Sequence, residues 1–235
     1  AGHSEIVSVP SNLCVKIPKD VNFDSAAFTT IGSIAIQAVR QLEANLGEKV
    51  LVIGLGLIGQ LTIQLLKASG CIPIGVDLDS EKVNFSREKY DIESFTNTSS
   101  NLSSKIKYIT EEHGVDSAII TAATSSNEPI EMAINHLRDR GKITVVGNIS
   151  MNIDWKKAYE KEITVNLSRS YGPGRYDKAY EEKGIDYPIG YVRWSENRNM
   201  QTFLELISSG KLDISSLITK TYDFNDAVKA FDEIS

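Results

Sequence analysis

Three glycines, Gly54, Gly56 and Gly59, stand at G-x-G-x-x-G spacing directly after the apolar run 50–53. Such a turn can bring backbone N–H groups up to a phosphate, because no Cβ stands in the way. Gly54 permits the tight turn out of a strand. Gly56 leaves room for a pyrophosphate beside the main chain, and Gly59 lets a helix pack closely on the strand. Asp77 closes the next apolar run, near the interval expected of an acid that binds an adenosine ribose. Its carboxylate can accept hydrogen bonds from both ribose hydroxyls and would repel a 2′-phosphate, as would Asp79. No Arg or Lys immediately follows Asp77. The chemistry points to NAD(H) rather than NADP(H). Lys82 reads equally as a second ribose ligand and as a solvated lysine. A bare glycine-rich turn and a helix-capping Asp77 are the alternatives, and glycine spacing alone is weak. The strand–turn–helix context and the acid together favour a dinucleotide site.

The elements that position these residues follow from periodicity. The run 50–53 is apolar throughout and rich in β-branched residues, as a strand buried on both faces is. From Leu57 the pattern turns helical through Leu61, Leu65, Leu66 and Ala68, with Gly70 as the C′ residue. Gly54, Gly56, Leu57, Ile58 and Gly59 would then cradle the pyrophosphate, with Asp77, Leu78 and Lys82 on the ribose side. A strand is expected over 72–76, a helix over 80–90, a short strand over 93–96, and a helix over 105–112. A strand over 115–121 leads into Thr121, Ala122 and Ala123. A helix over 129–137 precedes a strand over 141–146, which leads into Gly147 and Asn148. Small residues at the carboxyl ends of parallel strands lie where ligands sit in such sheets, so these five would line the nicotinamide half. The alternation predicts an α/β fold with a doubly wound parallel sheet.

The flanks are less regular. Two β-like pieces, 5–10 and 15–18, read as strands of a sheet whose other strands are missing. A helix capped at Asp24 or Ser25 would run through Ile31, Ile34, Ala35, Ala38, Val39 and Leu42. After a helix over 155–160 and a strand over 162–167 comes a turn-rich loop, 168–177, carrying Arg169, Tyr171, Arg175 and Tyr176. Arg193, Trp194 and Arg198 follow in a second such segment. Arginine and aromatic side chains in loops suit phosphate and ring recognition and suit an interface as well. A helix over 200–207, a strand over 217–222 and a helix over 225–234 complete the expectation.

The chain has 235 residues, 41% hydrophobic and 24% charged, with a net charge of −6. That acidity argues against a nucleic-acid partner, which a basic face would attract. No apolar run reaches the length of a membrane span, and no signal peptide is visible. Cys14 and Cys71 fit no metal or redox spacing, and a cytoplasmic location is the simplest expectation. His3 reads as a surface residue, His113 as solvated, and His136 as lying near a helix C-terminus, where the dipole would favour its charged form.

The arrangement resembles the medium-chain dehydrogenase/reductase family, the alcohol, sorbitol and threonine dehydrogenase relatives. The residues that carry the resemblance are Val15–Pro18 with the helix from Asp24, the stretch Gly47 to Gly59, Asp77 with Lys82, and Leu137 to Gly147. The segments 26–40, 168–177 and 187–194 are similar to the dehydrogenase half of two-domain bacterial oxidoreductases. In those a Gfo/Idh/MocA-like domain follows, and they are associated with polysaccharide biosynthesis. The resemblance implies a Rossmann domain over 25–168. It also implies a remnant of a GroES-like catalytic domain over 1–24, and a segment over 169–235 with substrate and interface loops, final helices and a return strand. It departs from the family in zinc: the position of a third catalytic ligand, 30–32, offers none, and the four-cysteine structural site is missing. No zinc is expected in this chain, and the catalytic residues stay unknown.

The reading that follows is an NAD-dependent, zinc-independent oxidoreductase fragment, inactive by itself. It would move hydride between NAD and an alcohol or ketone on a sugar or nucleotide-sugar, with Arg169, Tyr171 or Arg175 near that small-molecule substrate. An alternative is an NAD-binding scaffold or sensor without turnover. A third reading is an assembly module, in which the strand from Glu162 to Leu167 pairs edge to edge with a second copy.

Overall fold

The computed structural model describes residues 4–234; the reading of His3 lies outside them. Six strands form one parallel sheet in the order β3-β2-β1-β4-β5-β6. In chain order the helices and strands are α1 (Phe23–Ala26), α2 (Thr29–Leu42), β1 (Lys49–Ile53), α3 (Leu57–Ala68), β2 (Ile72–Asp77), α4 (Ser80–Tyr90) and β3 (Ser94–Thr96). They continue with α5 (Leu102–Ile109), β4 (Val115–Ile120), α6 (Glu128–His136), β5 (Leu137–Val145), α7 (Trp155–Glu160) and β6 (Thr164–Leu167). The last helices are α8 (Lys178–Glu181), α9 (Glu196–Ser208) and α10 (Ala227–Ile234).

The apolar run in β1 serves two cores at once. Side chains alternate across a strand, so Leu51 and Ile53 join Leu102 and Ile106 of α5 and Ile130 and Ile134 of α6 on one face. Val50 and Val52 join Leu42 of α2, Ile63 and Leu66 of α3, and Val83 of α4 on the other. The doubly wound α/β sheet is the expected architecture. Outside it lies a further layer, in which Phe203 of α9 packs with Ala35 and Ile36 of α2 and Leu61 and Leu65 of α3.

Several expectations need correction. Asn22, not Asp24 or Ser25, caps the first helix: its side chain accepts from the Ser25 N–H at 2.8 Å. That helix ends after one turn, and α2 starts separately at Thr29. Helix α5 starts at Leu102 rather than 105, because Leu102 is buried in the core and draws the polar loop into the helix. Strand β5 starts at Leu137 rather than 141, since Leu137 pairs with Val115 and Arg138 bonds Asp116 at 2.8 Å. The segments 5–10 and 15–18 are not strands but irregular chain with a 3-10 turn at Ser11–Leu13. Nor does a return strand form over 217–222, where the chain runs without regular structure beyond a 3-10 turn at Ser215–Leu217. In both cases the apolar pattern is present and a partner strand is not; pairing is what makes a strand.

Candidate functional site

The chain winds outward from β1 to β3, then returns to place β4 on the other side of β1. At this reversal the loops of the two halves diverge, which opens a crevice at the carboxyl ends of the strands. A cleft of about 370 Å³ lies there. Of the residues expected at a cofactor, Gly54, Gly56, Asp77, Leu78, Lys82, Thr121, Ala122 and Ala123 line it together.

The three glycines differ in what surrounds them. Gly54 has φ +100°, and a Cβ there would stand 2.6 Å from the Ala122 nitrogen. A Cβ on Gly59 would stand 1.9 Å from the Gly54 carbonyl oxygen. These two are fixed by the turn and by the packing of α3 against it. A Cβ on Gly56 would meet no heavy atom within 4 Å, so the space beside this backbone is open. Gly56 is also the N-cap of α3 and supplies no side-chain acceptor, so the first N–H groups of the helix lack a side-chain cap. An anion beside Gly56 would meet free N–H groups and the positive end of the helix dipole. Gln60, buried on α3, holds the turn by donating to the Leu55 carbonyl at 2.9 Å.

Asp77 ties the two strand ends. One carboxylate oxygen accepts from the Leu55 N–H at 2.6 Å, the other from the Asp79 N–H at 2.8 Å. A carboxylate has about four acceptor positions, so both oxygens keep capacity for ribose hydroxyls. Lys82 lines the cleft but pairs with Asp79, at 3.4 Å, rather than with Asp77. Asp79 also caps α4; the Glu81 N–H, chiefly, holds its carboxyl below the usual range. A dinucleotide therefore fits the residues present: open backbone at Gly56, an uncapped helix start, and a partly buried carboxylate at the end of the next strand.

Leu57, Ile58, Gly59, Gly147 and Asn148 do not line this cleft. Gly147 and Asn148 abut it: a Cβ on Gly147 would lie 1.9 Å from the Ala122 carbonyl oxygen, and the Asn148 carbonyl accepts from the Thr124 N–H at 2.9 Å. Thr121 donates to the Gly54 carbonyl at 2.6 Å, which couples the β4 end to the glycine turn. Asn97, Thr124, Ser126, Glu128, Pro129 and Met132 also line the cleft and were not foreseen. Asn97 directly follows β3, so the same carboxyl-end rule applied to β3 would have found it. Asn97 and Glu128 bond each other at 2.6 Å across the cleft wall.

Arg169, Tyr171 and Arg175 form a separate cluster, in the loop after β6. The Ser168 N–H donates to the Val145 carbonyl at 2.9 Å, which ties the start of that loop to the end of β5. Arg175 pairs with Glu181 at 2.6 Å and lies 4.3 Å from the Tyr176 ring centre. Arg169 stands 5.9 Å from the same ring. Beneath the loop lies Glu196, which is fully buried, and burial first and the Glu181 charge second push its carboxyl up to about 7. Sequence reasoning missed Glu196 because it began this helix at 200 and left the acid in the charged segment before it; α9 in fact starts at Glu196. The expectation for His136 reverses, because burial lowers its affinity for a proton. Its imidazole meets Ser103 at 3.1 Å and the Met132 carbonyl at 2.8 Å.

Comparison with known proteins places the chain among the dehydrogenases. A family model described as zinc-binding dehydrogenase matches residues 58–183. The chain belongs to that family, which is the medium-chain dehydrogenase resemblance seen in the sequence. D-xylulose reductase A of Aspergillus niger is 26% identical over 231 residues, covering 96% of this chain and 58% of that protein. D-guloside 3-dehydrogenase of Shigella flexneri is 25% identical over 219 residues, covering 92% of this chain and 59% of that protein. The chain thus spans a little over half the length of the curated relatives it matches. Among solved structures, an Escherichia coli alcohol dehydrogenase in complex with NADH shares the fold at TM-score 0.75 and 20% identity, covering 95% of this chain and 59% of that one. The 2R,3R-butanediol dehydrogenase of Bacillus subtilis does so at TM-score 0.72 and 22% identity, over 92% of this chain and 55% of that one. The family description implies zinc. Among the described residues no group of three or more His, Cys, Asp or Glu side chains could hold a metal. Zinc needs such a set, so the described residues do not fit that metal.

Proposed function

We propose that this chain is the cofactor-binding part of an NAD(H)-dependent oxidoreductase acting on an alcohol or ketone of a polyol, sugar or nucleotide-sugar. The observation that carries the reading is the contrast at the fingerprint: Gly54 and Gly59 are enclosed, Gly56 faces open space, and the Asp77 carboxylate lines the same cleft beside the turn, bound to the Leu55 N–H. Gly56 and the start of α3 would receive the pyrophosphate. Asp77 would accept from the ribose hydroxyls and exclude a 2′-phosphate, with Lys82 and Asp79 as a paired group beside it. Thr121, Ala122, Ala123, Gly147 and Asn148 would orient the nicotinamide half. The cofactor, when bound, supplies the hydride chemistry, and the protein supplies position and electrostatics. Polyol or sugar chemistry is supported by the xylulose reductase and guloside dehydrogenase relatives.

Within this reading, residues 1–24 belong with the catalytic domain of the longer relatives, and 169–235 carries substrate and interface loops. A cytoplasmic location and a role in polysaccharide synthesis are parts of the same proposal. So is a homodimer paired along β6, the sheet's edge strand, where Leu167 is exposed.

Thermal unfolding with NAD(H) and with NADP(H) tests the cofactor. A ligand at about one hundred times its Kd stabilises by about 2.7 kcal/mol, worth roughly 2–4 °C of Tm per kcal/mol in a chain of this size. The expected result is a shift with NAD(H), a smaller one with NADP(H), and loss of the difference in Asp77→Ala. Equal shifts with both cofactors in the unsubstituted chain would overturn the NAD preference. No shift with either would overturn the cofactor reading.

A further inference from the structure

Glu196 opens α9, and its carboxyl is fully buried with neither oxygen in a hydrogen bond of ordinary geometry. A charge buried without partners is expensive, and a carboxyl so placed keeps its proton instead. The first turn of a helix favours negative charge; here burial outweighs it. The charged and titratable groups that face Glu196 are Tyr171, Arg175 and Arg169 from the loop after β6, and Glu181 and Tyr180 from α8. Arg175 is already bound to Glu181 at 2.6 Å, so its charge is largely spent on that partner.

The loop is wrapped tightly around this carboxyl. The Glu196 N–H donates to the Pro173 carbonyl at 2.8 Å, and a Cβ on Gly174 would stand 3.0 Å from a Glu196 carboxyl oxygen. One turn along α9, the Asn199 amide donates to the Tyr171 carbonyl at 2.8 Å and to Gln37 of α2 at 3.2 Å. A Cβ on Gly172 would lie 2.6 Å from that amide nitrogen.

We propose that Glu196 is the positioning residue of the loop 168–177, and that the loop packs closely over its buried carboxyl only while that carboxyl is uncharged. Loss of its proton puts a second carboxylate beside Glu181, with Arg175 shared between them, and the loop loosens. That the loop serves a substrate rests on the function proposed above. The latch itself does not.

Two measurements on the chain without ligands test it. Infrared difference spectra across pH 7 report the carbonyl stretch of a protonated carboxyl, and amide exchange, corrected for intrinsic rates, reports protection over 168–177. The unsubstituted chain should lose the carboxyl band as pH rises through about 7, and exchange over the loop should quicken on the order of tenfold. Glu196→Gln should lack the band and keep the loop protected on both sides of pH 7. Glu181→Gln removes the neighbouring negative charge and should shift the transition to lower pH. A purely structural Glu196 would show no band and no pH-dependent exchange, and either absence overturns the proposal. So does a transition that persists in Glu196→Gln. In the complete enzyme, a KM for the alcohol unmoved by Glu196→Gln, with exchange behaving as described, would sink the substrate reading and leave the latch intact.

Discussion

One methyl group added at Gly56 or at Gly59 should have opposite consequences. At Gly59 it would be forced to within 1.9 Å of the Gly54 carbonyl oxygen. Overpacking of this kind costs about 1–3 kcal/mol or more, so Gly59→Ala should lower the midpoint of denaturant unfolding clearly. At Gly56 it meets open space, so Gly56→Ala should leave the midpoint within about 0.5 kcal/mol while weakening the NAD(H)-induced Tm shift. The titration of Glu196 adds a pH signature. Its carboxyl is raised from 4.5 to about 7 in the folded chain. The folded state therefore keeps a proton that the unfolded state has released. Stability from this group is fully present below pH 4.5, falls as pH rises, and levels off above about 7. Glu196→Gln should flatten that part of the stability–pH curve measured by urea unfolding.

At the level of elements, α9 packs on α2 and α3 with Phe203 at the centre of the contact. The fully buried Phe203 sits where a Cβ on Gly32 of α2 would come within 2.0 Å of its ring. Phe203→Ala should cost about 3–5 kcal/mol, seen as a lower unfolding midpoint. Gly32→Ala should destabilise too, by pushing α9 outward and with it the Glu196 turn. That the group packed on Gly32 is Phe203 was not legible in the sequence, because the two are brought together only by the fold. Helices α3 and α4 were legible because their signals are local: Gly70, with φ +79°, stands just past the end of α3 at the expected C′ position, and α4 spans Ser80–Tyr90 as expected. The segments 5–10 and 217–222 misled for the complementary reason. Their composition suits a strand, but a strand exists only with a neighbour, and local composition does not say whether one is there.

For the whole molecule, the sheet leaves β6 as a free edge, with Leu167 exposed there and the stacked Trp155 and Tyr159 of α7 also exposed. An unpaired edge bearing apolar groups is a template for another chain. If the proposed dimer forms along β6, Leu167→Lys should convert it to monomers in sedimentation velocity, with stability of the monomer changed by less than about 0.5 kcal/mol. A monomer before substitution would remove the dimer reading. What the sequence by itself determined is the strand–glycine turn–helix, the acid at the end of the next strand and the parallel α/β order, because each depends on spacing along a few dozen residues. Only the tertiary structure decided that Asp77 braces the glycine turn through Leu55, that Glu128 is the partner of Asn97 in the cleft wall, and that Glu196 is buried under the loop 168–177. Those facts depend on which distant segments exclude water from one another, and nothing in the local pattern around any of these residues encodes its neighbour.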